Sequence, residues 1–427
     1  MEWRELMSSR AWWVFLALMG PLVGVSFISA VNTYAEASGL NGTSAGVGEA
    51  FSPLVGIWAP TFSACELAAA FLLPFVAIRL IAGDRQSGAI KFELQHRMSC
   101  FTRIAIKASV LLIGWLISML APLAAVVLWK FYGGSTYTPE LTTVIAGHLL
   151  NAGLTIALAA AASSITRHPS TAAILTLSVT VGSWILSFIA AVHGGFWERA
   201  AGYTPTAMVA EFQHGLIRLD VLLISLALIA TGLAVSAICF RLGIATRTRA
   251  YESTALIAFT TLAICAFTFA NKSWDLSENR MNSFSIADEQ ALRQIRDPLQ
   301  IAVHLAPEDP RRTDLESRAL SKLQRIMPDL KINYVSATSI GLFEQTSAHY
   351  GEISYDLNGK NATNRITTAE GVLETIYSLA GISPPEDDQN IFRGHPLAVV
   401  PKGAPLIFYG IWPVFAVAAA FFQLWRR

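Results

Sequence analysis

Long apolar stretches alternate with short polar ones along most of this chain. Runs near 11–30, 57–80, 106–128, 144–165, 171–192, 218–240, 253–270 and 405–424 stand out. Each is close to the ~20 mainly apolar residues that an α-helix needs to cross the hydrocarbon core. The pattern predicts eight membrane helices, with the fourth and fifth parted only by "TRHPS" and the seventh the shortest. Between 271 and 404 the pattern changes. "PLQIAVHLAP" (298–307) reads as a buried strand, and "RRTDLESRALSKLQRIM" (311–327) as a helix with Leu315, Leu320, Leu323 and Ile326 apolar among charges. "DLKINYVSA" (329–337) alternates like a strand, and "GEISYDLNGKNATNRITT" (351–368) reads as a hairpin turning at Asn358-Gly359. "AEGVLETIYSLAGI" (369–382) is a second helix, ended by Gly381 and then Pro384-Pro385. The predicted fold class is a membrane all-α bundle of eight transmembrane helices with a small extracytoplasmic α/β domain.

Composition agrees with that division. The chain has 427 residues, and only 14% are charged against about 25% in soluble globular chains. Residues 271–404 hold 14 Lys and Arg against 18 Asp and Glu, which leaves 17 against 12 for the apolar remainder. An acidic polar insert in a basic membrane body is implied, and nucleic-acid binding is not. The first apolar run has no clear small-residue cleavage site and reads as a membrane helix.

Lys and Arg in short loops set the predicted direction. With the N-terminus inside, segments 1–10, 81–105, 166–170, 241–252 and 425–427 carry Arg4, Arg10, Arg85, Lys91, Arg97, Arg103, Arg167, Arg241, Arg247, Arg249, Arg426 and Arg427. The outer loops 31–56, 129–143 and 193–217 hold Lys130 and Arg199, with Arg218 at the membrane edge. Both termini are therefore expected in the cytoplasm and residues 271–404 outside.

Motifs for chemistry are missing. The chain has no G-x-x-x-x-G-K-[ST] loop, no H-E-x-x-H, no G-x-S-x-G and no Cys/His spacing suited to a metal. Cys65, Cys100, Cys239 and Cys265 all lie in or beside apolar runs and suggest no disulfide framework. No catalytic residue, metal or cofactor is expected on this chain. Glu66 falls inside the second span, where a carboxylate must face protein or water or else lose its charge. It could line a transport path or be a hydrogen-bonded packing residue, with His148 and Asn151 as neighbours. Arg79 is expected to snorkel to the inner interface. Trp12, Trp13, Trp115, Trp129, Trp184, Trp412 and Trp425 are placed as interfacial anchors.

The inner stretch "IAGDRQSGAIKFELQHRM" (81–98) is the strongest local signal. Ile90, Leu94 and Met98 share one helical face, and Gly83 and Gly88 can break helices on either side of a short element. An ordinary amphipathic connector and a surface presented to a soluble partner are both consistent with this pattern.

Resemblance separates them. "GDRQSGAIKFELQHRMSCFTRIAIKA" (83–108) resembles the E-[KR]-x-x-G-T-x-E stretch of ABC-2 type transporter permeases, through Asp84, Arg85, Gly88 and Lys107. Ala89 stands for the usual Thr, Lys91 for the second Glu and Arg97 for the Pro, and Glu93 offers a carboxylate two residues on. "WRELMSSRAWWVFLALMGPLVG" (3–24) is similar to that family's interfacial first helix and span one, and "ASSITRHPSTAAILTLSV" (162–179) to its span four–five junction. "YTPTAMVAEFQHGLIRLDVLL" (203–223) resembles the loop before span six, keeping Thr204, Pro205, Phe212 and Gly215, with Met208 where a His is usual. "WDLSENRMNSFS" (274–285) is similar to the opening of the auxiliary component of gliding-motility-associated ABC systems.

The resemblance implies a bacterial inner-membrane permease fused to a shortened auxiliary protein. Its parts would be a six-span domain at 1–252, a seventh helix at 253–270, an extracytoplasmic α/β domain at 271–404 and an eighth helix with a short tail at 405–427. It implies two copies of a separate ABC ATPase, which would hold the ATP and Mg, and a second permease copy or a related permease. Asp84, Arg85, Gly88, Glu93 and Lys107 would then couple the ATPase to the membrane helices. A periplasmic or envelope partner could meet residues 271–404, and membrane lipid surrounds the bundle. Two other readings stay open: a mechanotransmission complex whose external domain acts on an envelope partner, and a multi-span receptor without an ATPase.

Overall fold

The computed structural model describes residues 2–39, 52–87, 98–166, 168–193, 196–241, 243–270, 272–306, 309–327, 329–335, 349–385, 394–398 and 402–425. Among them eight helices are long and apolar enough to cross a bilayer: Arg10–Ala37, Leu54–Gly83, Cys100–Phe131, Thr138–Ile165, Pro169–Ala190, Leu219–Phe240, Thr246–Phe267 and Leu406–Gln423. We call these spans one to eight. They give the chain the architecture of a multi-pass membrane protein, at the eight places where the apolar runs predict it. The chain forms two compact units, one of Met1–Trp184, Tyr203–Leu276 and Phe392–Arg427, the other of Ile185–Gly202 and Ser277–Ile391.

The first unit is the helical bundle. Along span one, Trp12, Phe15, Met19, Val23, Phe27, Val31 and Tyr34 are buried at helical spacing, while Val14, Leu18 and Val25 face outward. Both faces are apolar, because lipid tails accept what the bundle interior accepts. Contact between helices therefore depends on how closely backbones approach, and small residues decide it. Gly20 and Gly24 form such a seat for span eight. A Cβ added at Gly20 would overlap the Trp412 ring, and one at Gly24 would lie 2.5 Å from Phe408 Cβ. The Trp412 Nε1 donates to the Leu16 carbonyl at 2.8 Å, and the Phe27 and Phe408 rings meet edge-on at 5.9 Å. Gly232 does the same between spans four and six, where a Cβ would stand 3.0 Å from the Ala157 carbonyl oxygen.

The polar segments next to these spans are tied to the same unit. Tyr34 donates to the His395 carbonyl, Tyr132 to the Lys402 carbonyl, and the Leu397 amide to Ser38 Oγ, all at 2.8–2.9 Å. β1 (Leu216–Arg218) pairs antiparallel with β2 (Ser273–Asp275), so the first residues after span seven are bonded to the start of span six. The compact units thus divide the insert at 276/277 and 391/392, inside the limits of 271 and 404 that composition suggests. The reason is physical: these short flanks find their backbone partners on the helical bundle.

The second unit holds a four-stranded sheet in the order β4-β3-β5-β6, from Lys331–Tyr334, Leu299–Val303, Ile353–Leu357 and Lys360–Asn364. β3 runs parallel to β4 and antiparallel to β5. The β5–β6 turn is at Asn358 and Gly359, both with positive φ (53° and 83°), the conformation that makes Asn-Gly a favoured hairpin pair. Leu299, Ile301 and Val303 alternate with outward residues and pack with Ile353, Tyr355 and Leu357. Helices Ile286–Gln294 and Ala369–Ala380, and the helical run from Pro310 to Ile326, contribute Leu292, Leu315, Leu323, Val372 and Ile376 to the same core. Ser285, Asp309 and Thr368 cap their helices through side-chain oxygens, and Gly381 (φ 71°) ends the last one.

Two outcomes are expected. Gly20→Ala or Gly24→Ala should cost about 1–3 kcal/mol through overpacking against span eight. Gly182→Ala, with open space at the added methyl, should cost nothing. Thermal unfolding in detergent reads the difference. In the second unit Asp309 accepts from Arg311 and from the Tyr350 hydroxyl, and these contacts, the Arg311 side chain foremost, hold its carboxyl down to about 2. A folded pKa below the unfolded value of about 3.9 gives stability that is full above that value and is lost as pH falls toward 2. Acid titration of hydrogen exchange in β3 and β5 should therefore show a loss below about pH 4 that is shallower in Asp309→Asn.

Candidate functional site

The candidate coupling residues lie around the end of span two. Its helix continues as Leu73–Ser87, so Gly83 sits inside a helix and does not break it. A lone glycine costs a helix about 1 kcal/mol, which the packing of Leu80, Ile81 and Ala82 offsets here. A Cβ at Gly83 would meet Glu5 Oε1 at 3.6 Å, so the glycine stands where the N-terminal helix comes alongside. Asp84 and Arg85 fall on the last turn of this helix, with side chains outside those described. Gly88 and Glu93 lie outside the described residues, as do Ile90 and Leu94, and Met98 is exposed.

Lys107 meets span two at Leu80. It is only 4% exposed, in the second turn of span three, so its ammonium must find partners inside the protein. Nζ donates to the Leu80 carbonyl at 3.0 Å, pairs with a Glu2 carboxylate oxygen at 3.0 Å and lies 3.8 Å from Glu5. One cation thus joins three elements: the N-terminal helix Glu2–Ser8, the end of span two and the start of span three. The N-terminal helix is short but amphipathic. Glu2 and Glu5 face the lysine, Leu6 is fully buried, and Trp3 is exposed. Gly114 of span three lets it approach, since a Cβ there would lie 3.0 Å from Leu6 Cδ2 and 3.2 Å from the Trp12 ring. Trp13 Nε1 donates to the Met7 carbonyl at 2.7 Å and fixes the turn between this helix and span one. With little surface of its own, Lys107 ties the three elements together through these contacts.

The other candidate residues are on spans two and four. Glu66 is half-buried, and Trp184 Nε1 of span five donates to its Oε1 at 3.1 Å. Trp184 is flanked by Ser183, whose hydroxyl shares a hydrogen bond with Thr206 at 2.9 Å. His148 is fully buried, stacked on Phe62 at 5.6 Å, with Gln213 Nε2 at 3.2 Å from its Nε2. The direction of this hydrogen bond depends on the imidazole tautomer. Asn151 is buried one turn further along the same helix. Phe62 and Glu66 are four residues apart on span two, yet the first touches span four and the second span five. The described contacts therefore join Glu66 to Trp184, and His148 to Phe62 and Gln213, in two separate groups.

Sequence reasoning missed Glu2, Glu5, Trp184 and Gln213 as partners, because nothing local marks them. Trp12, Trp115 and Trp129 are not interfacial anchors: each is at most 1% exposed, packed in the bundle against Phe15, Tyr34 or Trp58. Trp12 and Trp129 do lie near span ends, whereas Trp115 lies midway along span three, and all three occupy inward faces.

Lys107→Ala should leave Glu2 without its buried cation. We expect a loss on the order of 3 kcal/mol and faster hydrogen exchange confined to residues 2–8 and the end of span two. Unchanged exchange there would mean that the clamp holds nothing. Among the described residues no His/Cys/Asp/Glu group could hold a metal ion. No family model matches the chain, and neither does any curated protein or solved structure.

Proposed function

We propose that this chain is the membrane-spanning permease subunit of an ABC-2 type, ATP-driven transporter working in the direction of export. The observation that carries the reading is the Lys107 clamp, which holds the Leu80 carbonyl one turn before Asp84 on the same helix and pairs with Glu2 of the N-terminal helix. A motor that pushes on residues near Asp84 and Arg85 would move span two, and through Lys107 would move the N-terminal helix and span three with it. A loop joined to its span by flexible chain could not transmit such a push.

In this reading the chain hydrolyses nothing. ATP and Mg belong to two copies of a separate ATPase, and the bundle pairs with a second copy or a related permease. Asp84, Arg85 and Gly88, with Glu93, form the docking surface, while Lys107 positions the elements behind it. The arginine-rich loops lie in the cytoplasm with both termini, in a bacterial inner membrane. The sheet-containing unit is then a small extracytoplasmic α/β domain. Its own apolar core favours a second reading, in which the ATPase cycle moves that domain against an envelope protein and no substrate crosses.

Asp84→Ala with Arg85→Ala should abolish stimulation of the partner ATPase and weaken assembly, while leaving the melting temperature of the chain unchanged. Intact stimulation would overturn the docking role. Replacing 286–383 by a linker separates the two readings: ATP-driven flux that survives supports transport, and flux that is lost supports transmission.

A further inference from the structure

The helical unit contains a cavity of about 650 Å³, within the range of small-ligand sites, about 300–1,000 Å³. We infer that it is a binding groove for the headgroup of an anionic phospholipid, with Arg79 and Ser9 as its recognition groups. The inference does not depend on the transport reading, since it requires only a chain set in a membrane.

Three features of the groove favour an anion. Arg79 of span two lines it, is exposed, and has no ion-pair partner among the described residues. Ser9, also in its wall, is 9% exposed, and its hydroxyl has no hydrogen-bond partner among the described residues. That hydroxyl stands at the N-cap of span one, with the extended backbone of a cap (φ −76°, ψ 121°), yet makes no capping bond. A serine there ordinarily accepts from its own helix. Finally, two long helices begin at the groove, Arg10–Ala37 after Ser9 and Pro169–His193 with Ser170 in the wall. Their positive ends and free amides suit a phosphate oxygen. Glu5 is a carboxylate in the same wall, and its charge is met by Lys107 at 3.8 Å.

The remainder of the wall decides between a free anion and a lipid. Phe75 lies one turn from Arg79 on span two and is half-exposed, and Ala173 lies one turn from Ser170 on the helix opposite. A phosphate bound by Arg79 and Ser9 would therefore have apolar surface leading away from it along two membrane helices, as an acyl chain requires. An inorganic ion would leave that surface unused.

The test is native mass spectrometry of the full chain in detergent, with phosphatidylglycerol and phosphatidylcholine supplied together. Phosphatidylglycerol should be retained in preference, and Arg79→Gln should weaken its retention about fivefold, the effect of one interfacial arginine. Ser9→Ala should weaken it by less. Lys130→Gln, which removes an exposed cation outside the groove, should leave retention unchanged. Equal retention of the two lipids, or full retention by the Arg79→Gln and Ser9→Ala variants, would overturn the site. Displacement of bound phosphatidylglycerol by equimolar inorganic phosphate would overturn the lipid as its ligand.

Discussion

A lysine ammonium taken out of water must be surrounded by acceptors, and Lys107 meets that demand by drawing three elements together. The N-terminal helix brings carboxylates, span two brings a backbone carbonyl, and span three brings the cation itself. Much of the local geometry follows. Gly114 is small where the N-terminal helix must come close, and Leu6 fills the space that this approach encloses. Apolar packing alone could slide along the helix axes. The ion pairs fix the register of the three segments.

Elsewhere the bundle is held by close backbone contact. Span eight seats its Trp412 and Phe408 on Gly20 and Gly24, and the segment before it is bonded to Tyr34, Ser38 and Tyr132. The last span is therefore part of the same helical unit as the first, although about 380 residues separate them in sequence. In the sequence, the sheet lies between two segments that both belong to the bundle.

The eight spans were legible because bilayer thickness dictates the length of an apolar run, and the hairpin because Asn358-Gly359 suits two consecutive positive φ values. The inward face of a span was not legible, since lipid and protein interior select the same side chains. Trp12, Trp115 and Trp129 looked like interface anchors for that reason. Lys107 stood out through resemblance, whereas its partners Glu2, Glu5 and Leu80 lie far from it in the chain and carry no mark of their role. The pairing of β1 with β2 escaped because three-residue strands are too short to show alternation. Gly83 was misleading: a glycine that signals a break in isolation lies here within a continuous helix.

In the proposed function, force enters at the end of span two and is carried inward by the lysine clamp. A photo-crosslinking residue placed at Asp84 in the full chain, expressed in its native membrane, tests it most directly. The account predicts one dominant adduct, with an ABC-type nucleotide-hydrolysing subunit, whose yield changes when ATP is replaced by ADP. Adducts with lipid alone, or an ATPase adduct indifferent to nucleotide, would contradict it.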